Sequence, residues 1–450
     1  MYGGMCMNDA MKTRPIFPLI VSMSVPIMLS MLIVSLYNIV DSFWVAKLGT
    51  SALTAVSLAF PLQNVILAVG VGTGIGVSSW ISMCMGRNDV DGANRVASLG
   101  TALVFVHCIL FFLAGIFVSR PFLSMFTQDA LVLKWSVEYT QIVLCLSFGC
   151  LFQMCFEKIF QSAGKMMVTM FLMASGCVIN IILDPIFIFT LDLGVRGAAY
   201  ATVIGQIAGM FLYMVVYHYM DLGVQVRLKD MVWDGVWIRK IYSVAIPSSL
   251  MIALPSVLIG LLNGILAGFE EMYVAILGLY FKLQTFVNMP VNGIIQGIRP
   301  IVGYNYGARE YGRVRQTIFY TMTFAGVISL AGTIVSIFFP TQILNLFDAE
   351  PNLLLQGSIA MRIIGLSFVL SCVAVVVCGV LEALGNGKLS LLISLSRQLL
   401  VLVPFAFVAS QYMGVLGVWL AFPVAECVGL VLGCLSLYFL LTKTLKDSIL

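Results

Sequence analysis

Charge is what this sequence has least of. Asp, Glu, Lys and Arg make up 10% of its 450 residues, apolar residues make up 61%, and mean hydropathy is +1.05. A soluble domain carries roughly 25% charged residues, so that class is excluded. Histidine is nearly absent: His107 and His218 stand alone, and no metal site or proton relay can be built from them. The 11 cysteines form no Cys-x-x-Cys pair and sit mostly inside apolar runs, as at Cys145, Cys150, Cys155, Cys372 and Cys378, which fits buried, inert thiols rather than a disulfide frame. Long polar connections are missing too, which leaves no room for a soluble catalytic domain. No paired histidines or Ser/His arrangement suggests a membrane-embedded enzyme. No catalysis, cofactor or nucleic-acid partner is expected.

What is present is apolar sequence in runs of about 20 residues, each long enough to cross a bilayer. Twelve spans are expected, at 17–45, 52–80, 93–118, 135–160, 167–190, 196–220, 240–266, 273–301, 315–339, 353–382, 390–410 and 415–441. The first is too long for a signal-peptide core and lacks a small-residue cleavage site, so it reads as a retained helix. Met1, Met5, Met7 and Met11 leave the start codon open. The longest connection, 221–239, carries Arg227, Lys229, Asp230, Asp234 and Arg239 and reads as a linker between halves. Eighteen basic residues, Arg299 and Arg397 among them, fall on the side of the N-terminus; Lys47, Arg120, Lys134 and Arg196 fall on the other, and Lys282 and Arg362 inside spans. By the positive-inside rule both termini are cytoplasmic.

The chain also repeats itself. A shift of 221 residues brings Pro26 onto Pro247, Phe60, Leu62 and Gln63 onto Phe281, Leu283 and Gln284, and Gly72, Gly76, Gly86 and Gly164 onto Gly293, Gly297, Gly307 and Gly385. A shift of 220 brings Gly194 and Gly197 onto Gly414 and Gly417. Six helices per half is an even number, so the halves run the same way through the membrane, a parallel repeat about an axis along the membrane normal. The fold expected is all-α and membrane-integral, with twelve transmembrane helices in two six-helix lobes. The first lobe covers 17–220 and the second 240–441, with cytoplasmic tails at 1–16 and 442–450 and a lipid bilayer around a monomer.

The rare polar residues inside spans gather in the first half. Asp41 lies about four residues from the outer end of the first helix, and Asp184 about six from the outer end of the fifth, or roughly 9 Å deep at ~1.5 Å per residue. Asn180 shares the face of Asp184 one turn deeper, Tyr37 that of Asp41, and Gln206 that of Thr202, which enters at matching depth on the sixth helix. An ionised side chain there costs about 3 kcal/mol unless paired or hydrated, so such an acid is a functional candidate. Two adjacent carboxylates suit a proton; with amide and hydroxyl oxygens they also suit Na⁺. The competing reading makes both acids hydrated helix ends. Pro185 frees a carbonyl and favours a kink beside Asp184. Glu157 and Lys158 read as snorkelling helix-end charges, a gate or, with Tyr37 and Gln206, part of a substrate cleft. Glu426, Lys282 and Arg362 read either as a structural pairing across the second half or as part of a substrate cleft. Gly70, Gly72, Gly74 and Gly76 lack the Lys-Ser/Thr of a phosphate loop and read as helix packing.

Asp41-Ser-Phe-Trp-Val-Ala-Lys-Leu-Gly49, Pro61-Leu-Gln63, Gly86-Arg-Asn-Asp89, Gln161-Ser-Ala-Gly-Lys165, Asn180-Ile-Ile-Leu-Asp184-Pro185 and Gly194-Val-Arg-Gly-Ala-Ala199 resemble the multidrug and toxic compound extrusion (MATE) transporters, in particular their bacterial DinF-like branch. The resemblance implies a V-shaped two-lobe exporter in the bacterial inner membrane, driven by H⁺ or Na⁺, that expels amphipathic, often cationic small molecules. It further implies that Asp41, Asn180, Asp184 and Thr202 stand where that branch has its cation ligands. Other branches carry a functional glutamate in the seventh helix, and none stands between Lys240 and Ala267. A flippase for lipid-linked precursors is the alternative of similar architecture; its cleft should show several cations for pyrophosphate.

Overall fold

The computed structural model describes residues 7–345, 347 and 350–449; for residues 7–9, 441 and 443–449 only the backbone is described. Met1 and Met5 therefore lie outside the described residues, as do the side chains of Met7, Lys443 and Lys446. Among the described residues, eleven helices are long and apolar enough to span a bilayer, and a further pair bent by 45° makes a twelfth span. They are α1 (Ile16–Ala46), α2 (Thr50–Gly86), α3 (Val90–Phe117), α4 (Ala130–Cys145 and Phe148–Ser162), α5 (Met166–Thr190), α6 (Gly194–Tyr219), α7 (Gly235–Leu266), α8 (Glu271–Gly307), α9 (Tyr311–Phe338), α10 (Pro351–Ala383), α11 (Gly387–Met413) and α12 (Val415–Leu440). No strand occurs among the described residues. The helices overrun the expected spans most at α2, α4 and α8, because hydropathy marks the lipid-crossing part of a helix and not its polar extension into water.

Local chemistry sets where these helices begin and end. Asp89, Asp129 and Asp234 cap α3, α4 and α7, each accepting from one or two of the first free backbone N–H groups, at 2.8 Å in the case of Gly92. Asp234 thereby starts α7 at Gly235, inside the linker read from sequence. The linker is not loose: the amides of Gln225 and Arg227 donate to Asn94 Oδ1 at 2.6 Å and Ser98 Oγ at 2.8 Å, tying it to α3. The 221-residue repeat also appears in backbone conformation. Left-handed residues recur at Asn88 and Arg309, at Gly164 and Gly385, and one residue closer at Gly194 and Gly414. The breaks in α4 and α10 likewise fall at Leu146 and Leu366.

The two halves meet through α1 and α2 on one side and α7 and α8 on the other. The tight approaches at glycines between the two halves lie in the half of the molecule nearer the chain ends. A methyl placed on Gly297 would sit 2.9 Å from Ser24 Cα, and one on Gly293 2.4 Å from Met28 Cγ. One on Gly72 would lie 2.7 Å from the Ala245 carbonyl, and one on Gly307 2.2 Å from that of Met83. Polar contacts join the same face: Trp80 Nε1 donates to the Lys240 carbonyl at 2.9 Å, and His107 Nε2 shares a hydrogen bond with the Tyr242 hydroxyl at 2.9 Å. In the opposite half, methyls on Gly260, Gly264 and Gly278 would touch nothing within 4 Å, and Leu36, Ile39, Phe60, Val257 and Phe286 are exposed. The lobes are sealed at the face carrying both chain ends and separated at the other.

Candidate functional site

Small residues bring the polar cluster together. Gly176 of α5 and Gly205 of α6 pack backbone to backbone, and a methyl on Gly205 would lie 2.9 Å from Asn180 Cβ. This approach lets Asn180 Nδ2 reach Thr202 Oγ1 at 3.4 Å, while Asn180 and Thr202 stay 2% and 5% exposed. Beyond Asp184, α5 continues as a wider-than-α turn over Ile186–Thr190, because Pro185 has no N–H for the normal ladder and Leu191 N donates to Ile186 O at 2.9 Å instead. The distortion lies directly after Asp184, whose side chain is fully buried.

Asp41 of α1 faces Asp184, near enough for each carboxyl group to act on the other. Tyr37 of α1 and Tyr139 of α4 both approach the Thr202 hydroxyl, and Gln63 Nε2 donates to Tyr139 at 3.1 Å. Asp41 Oδ1, Asn180 Oδ1 and both carboxylate oxygens of Asp184 are buried without a hydrogen-bond partner. Four converging oxygens without donors are an arrangement that a proton or a hard cation would satisfy. Lys47 is not the partner of Asp41: its amine lies 4.5 Å from the ring centres of both Phe43 and Trp44. Tyr139 was not singled out by sequence, since it is a lone tyrosine on an amphipathic helix; Gln63, known only as a repeat residue, becomes its support.

In the other half the same cluster is apolar. Asp41 corresponds to Leu262, Tyr37 to Leu258 and Thr202 to Phe422, all buried in one hydrophobic core.

Next to the cluster lies a cavity of about 440 Å³. Phe60, Leu67, Met154 and Met173 give it an apolar wall, and Tyr37, Asn38, Gln63, Gln153, Asn180, Thr202 and Gln206 a polar seam. Glu157 is the one charged residue among the described residues lining it. Glu157 and Lys158 do not snorkel. They are 7% and 4% exposed, and the ammonium donates to Glu157 at 3.1 Å, to Gln161 at 2.9 Å and to Gln296 of α8 at 3.0 Å. Lys158 thus has an acceptor for each of its three N–H donors, one of them across the seam between the lobes.

The second-half charges fall differently from the sequence reading. Glu426 pairs with Arg397 at 2.9 Å, and with neither Lys282 nor Arg362. Arg397 was counted with the basic residues of the terminus side, but it lies ten residues into α11, about 15 Å along the helix. A π-turn over Ser396–Val401 accompanies this placement. Arg299 is also drawn inward, to a salt bridge with buried Glu382, which accepts from Ser248 Oγ at 2.6 Å as well. Lys282 is exposed, with its amine 5.2 Å from the ring of Phe347 near the end away from the termini. Arg362 is exposed and has no ion pair among the described residues. Lys282, Arg362 and Glu426 do not form one site.

The family described as MatE matches this chain twice, over residues 26–186 and 247–408, so the matches begin 221 residues apart. The multidrug export protein MepA of Staphylococcus haemolyticus is 26% identical over 436 residues, covering 96% of either chain. A MATE structure in the bent conformation superposes with a TM-score of 0.92 at 27% identity, covering 99% of this chain and all of the other. An outward-facing multidrug resistance MATE family transporter of the MOP superfamily does so with 0.88 at 27% identity, covering 95% and 96%. With two copies of the family's unit filling most of the sequence and each beginning at the proline shared by α1 and α7, the chain belongs to the MatE family.

Proposed function

We propose that this protein is a multidrug efflux antiporter, exporting amphipathic and often cationic compounds by alternating access at the expense of an inward H⁺ or Na⁺ gradient. The observation that carries the reading is the set of four buried, unpartnered oxygens on Asp41, Asn180 and Asp184, placed beside an apolar cavity with a polar seam. Its relatives named as multidrug exporters support the direction and breadth of transport. The excess of basic residues on the terminus face supports a cytoplasmic assignment for that face, even with Arg397 removed from the count. The lobes then stand open to the outside.

In this state the cation enters from outside and binds between the two carboxylates. Binding neutralises like charges that otherwise repel across α1 and α5, so α1 can draw closer to α5 and α6. Pro26, which leaves one α1 carbonyl without its helical donor, supplies a place for α1 to bend. The movement narrows the cavity lined by Tyr37 and Asn38, and the drug leaves outward. Coupling requires only that cation and drug favour different arrangements of α1.

Dye efflux from proteoliposomes with imposed pH and Na⁺ gradients tests this. Wild type should export a cationic dye when one of the gradients is applied, and Asp41→Asn and Asp184→Asn should each reduce gradient-driven efflux at least tenfold while the protein still folds. Unchanged gradient-driven efflux in both variants would remove the coupling assignment. Failure of wild type to move any cationic dye would remove the drug-export reading.

A further inference from the structure

The molecule has a second cavity whose chemistry differs from the first. It measures about 370 Å³ and lies between the lobes, against α7, α8, α10 and α11. Where the first-half cavity offers one carboxylate and neutral amides, this one presents two guanidinium groups, Arg299 and Arg397. Arg397 Nη1 donates to Glu426, which is not part of the lining and so backs the arginine from the protein side. A guanidinium has five N–H donors in a planar fork, and this contact uses one. Arg299 Nη2 serves Glu382, but its Nε is buried with no hydrogen-bond partner. Buried donors are normally satisfied, and each orphan calls for an explanation.

The charges also balance. Each arginine has its own glutamate, so the cavity wall is close to neutral while remaining rich in directed donors. A monocation meets the two guanidinium groups as well as Glu382 and gains no net attraction from such a wall. A polyanion such as a pyrophosphate lacks the uncompensated positive charge it needs. A net-neutral ligand carrying both signs fits: its carboxylate can take the free edges of the guanidinium forks in a bidentate geometry, and its cationic end can face Glu382. Arg397 is held for this role by packing, since its Cβ and Cδ lie 3.3 and 3.2 Å from where a methyl on Gly429 would sit.

We propose that this second-half cavity is a substrate subsite for zwitterionic amphiphiles, holding their carboxylate on Arg397 and Arg299. The inference rests on the drug-export reading and adds a substrate class and a location to it. Monocations use the first-half cavity; compounds bearing a carboxylate as well as a cation use the second.

The test uses two rhodamines with the same xanthene: a cationic ethyl ester and its hydrolysed free acid, a zwitterion. Their binding to purified full-length protein is measured by fluorescence anisotropy. The variant is the charge-neutral pair Arg397→Gln with Glu426→Gln, which leaves no unpaired buried charge; Arg299→Gln with Glu382→Gln is the second. Affinity for the free acid should fall about tenfold in either, and affinity for the ester should stay within twofold of wild type. Equal weakening of both dyes, or full retention of the acid, overturns the proposal, as does failure of the wild type to bind the free acid. Because binding needs no gradient, absence of efflux of both dyes from wild-type vesicles would strike the transport reading alone.

Discussion

Lys158 shows how much one side chain contributes here. Its ammonium satisfies Glu157 and Gln161 within its own helix and Gln296 across the seam, and its stem fills the space above Gly74, where a methyl would lie 2.5 Å from its Cγ. Lys158→Ala leaves the Glu157 carboxylate buried without a cation, a loss worth about 3–5 kcal/mol. The purified variant should therefore melt well below wild type, and Lys158→Met combined with Glu157→Gln should recover most of the loss. Equal melting temperatures for Lys158→Ala and wild type would show that the carboxylate does not depend on the amine. At this scale the first-half cluster was legible, because depth along a helix follows from counting residues: Asp41, Asn180, Asp184 and Thr202 fall at matched depths, and the structure brings them together. The ion pairs were not legible. Arg397 meets Glu426 29 residues away on the next helix, and which face of α11 it occupies depends on a π-turn that hydropathy does not reveal. Arg299 looked like a helix-end cation because only the buried position of Glu382 draws it inward.

Helices α2 and α7 are held at van der Waals contact by the absence of side chains. A methyl on Gly72 would come within 2.7 Å of both the Ala245 carbonyl and the Ser249 amide, which are backbone atoms and cannot rotate aside. Gly72→Val should therefore wedge the two helices apart and favour the opposite arrangement, open at the terminus face. The reporter is a cysteine at Ser79, 2% exposed, in a background cleared of native cysteines. Its reaction with a membrane-impermeant maleimide from the terminus face should speed up several-fold, whereas Gly260→Val, where nothing lies within 4 Å, should leave it slow. Identical rates in the two variants would mean that the contact does not hold the seal. The number of helices and the repeat were visible in sequence because apolar runs and glycine spacing are local patterns. Which partner supplies bulk at an equivalent contact was not visible. Lys158 of α4 packs over Gly74 of α2, whereas at the equivalent pair Ile295 of α8 packs over Gly379 of α10, so the halves exchange knob and hole. That exchange places the ammonium on one side of the cleft only.

For the whole molecule the decisive feature is that one face is sealed and the other is not, while the proposed alternating access demands that the sealed face open once per cycle. Two rigid lobes hinged along α1/α8 and α2/α7 can do this only if the contact between Ser24 and Gly297 separates. A methyl on Gly297 would stand 2.6 Å from Ser24 Oγ, an atom that is itself buried without a hydrogen bond. Cysteines at both positions bring their sulfurs within bonding reach, and because the added Gly297 Cβ also meets the Ser24 Cα at 2.9 Å, the bond forms with the two helices moved slightly apart. Oxidation of Ser24→Cys with Gly297→Cys should cross-link the lobes in the arrangement described above and stop dye efflux, and reduction should restore it. Dye binding measured from the open face should survive the cross-link, because the first-half cavity lies on the far side of it and needs no movement of the seal to fill. Efflux that continues at the wild-type rate with the cross-link fully formed would mean that the lobes do not part at this face, and alternating access by their separation would have to be abandoned. Efflux lost together with binding would instead place the damage in the cavity, and the single variants Ser24→Cys and Gly297→Cys, which cannot form the bond, would show which side chain caused it.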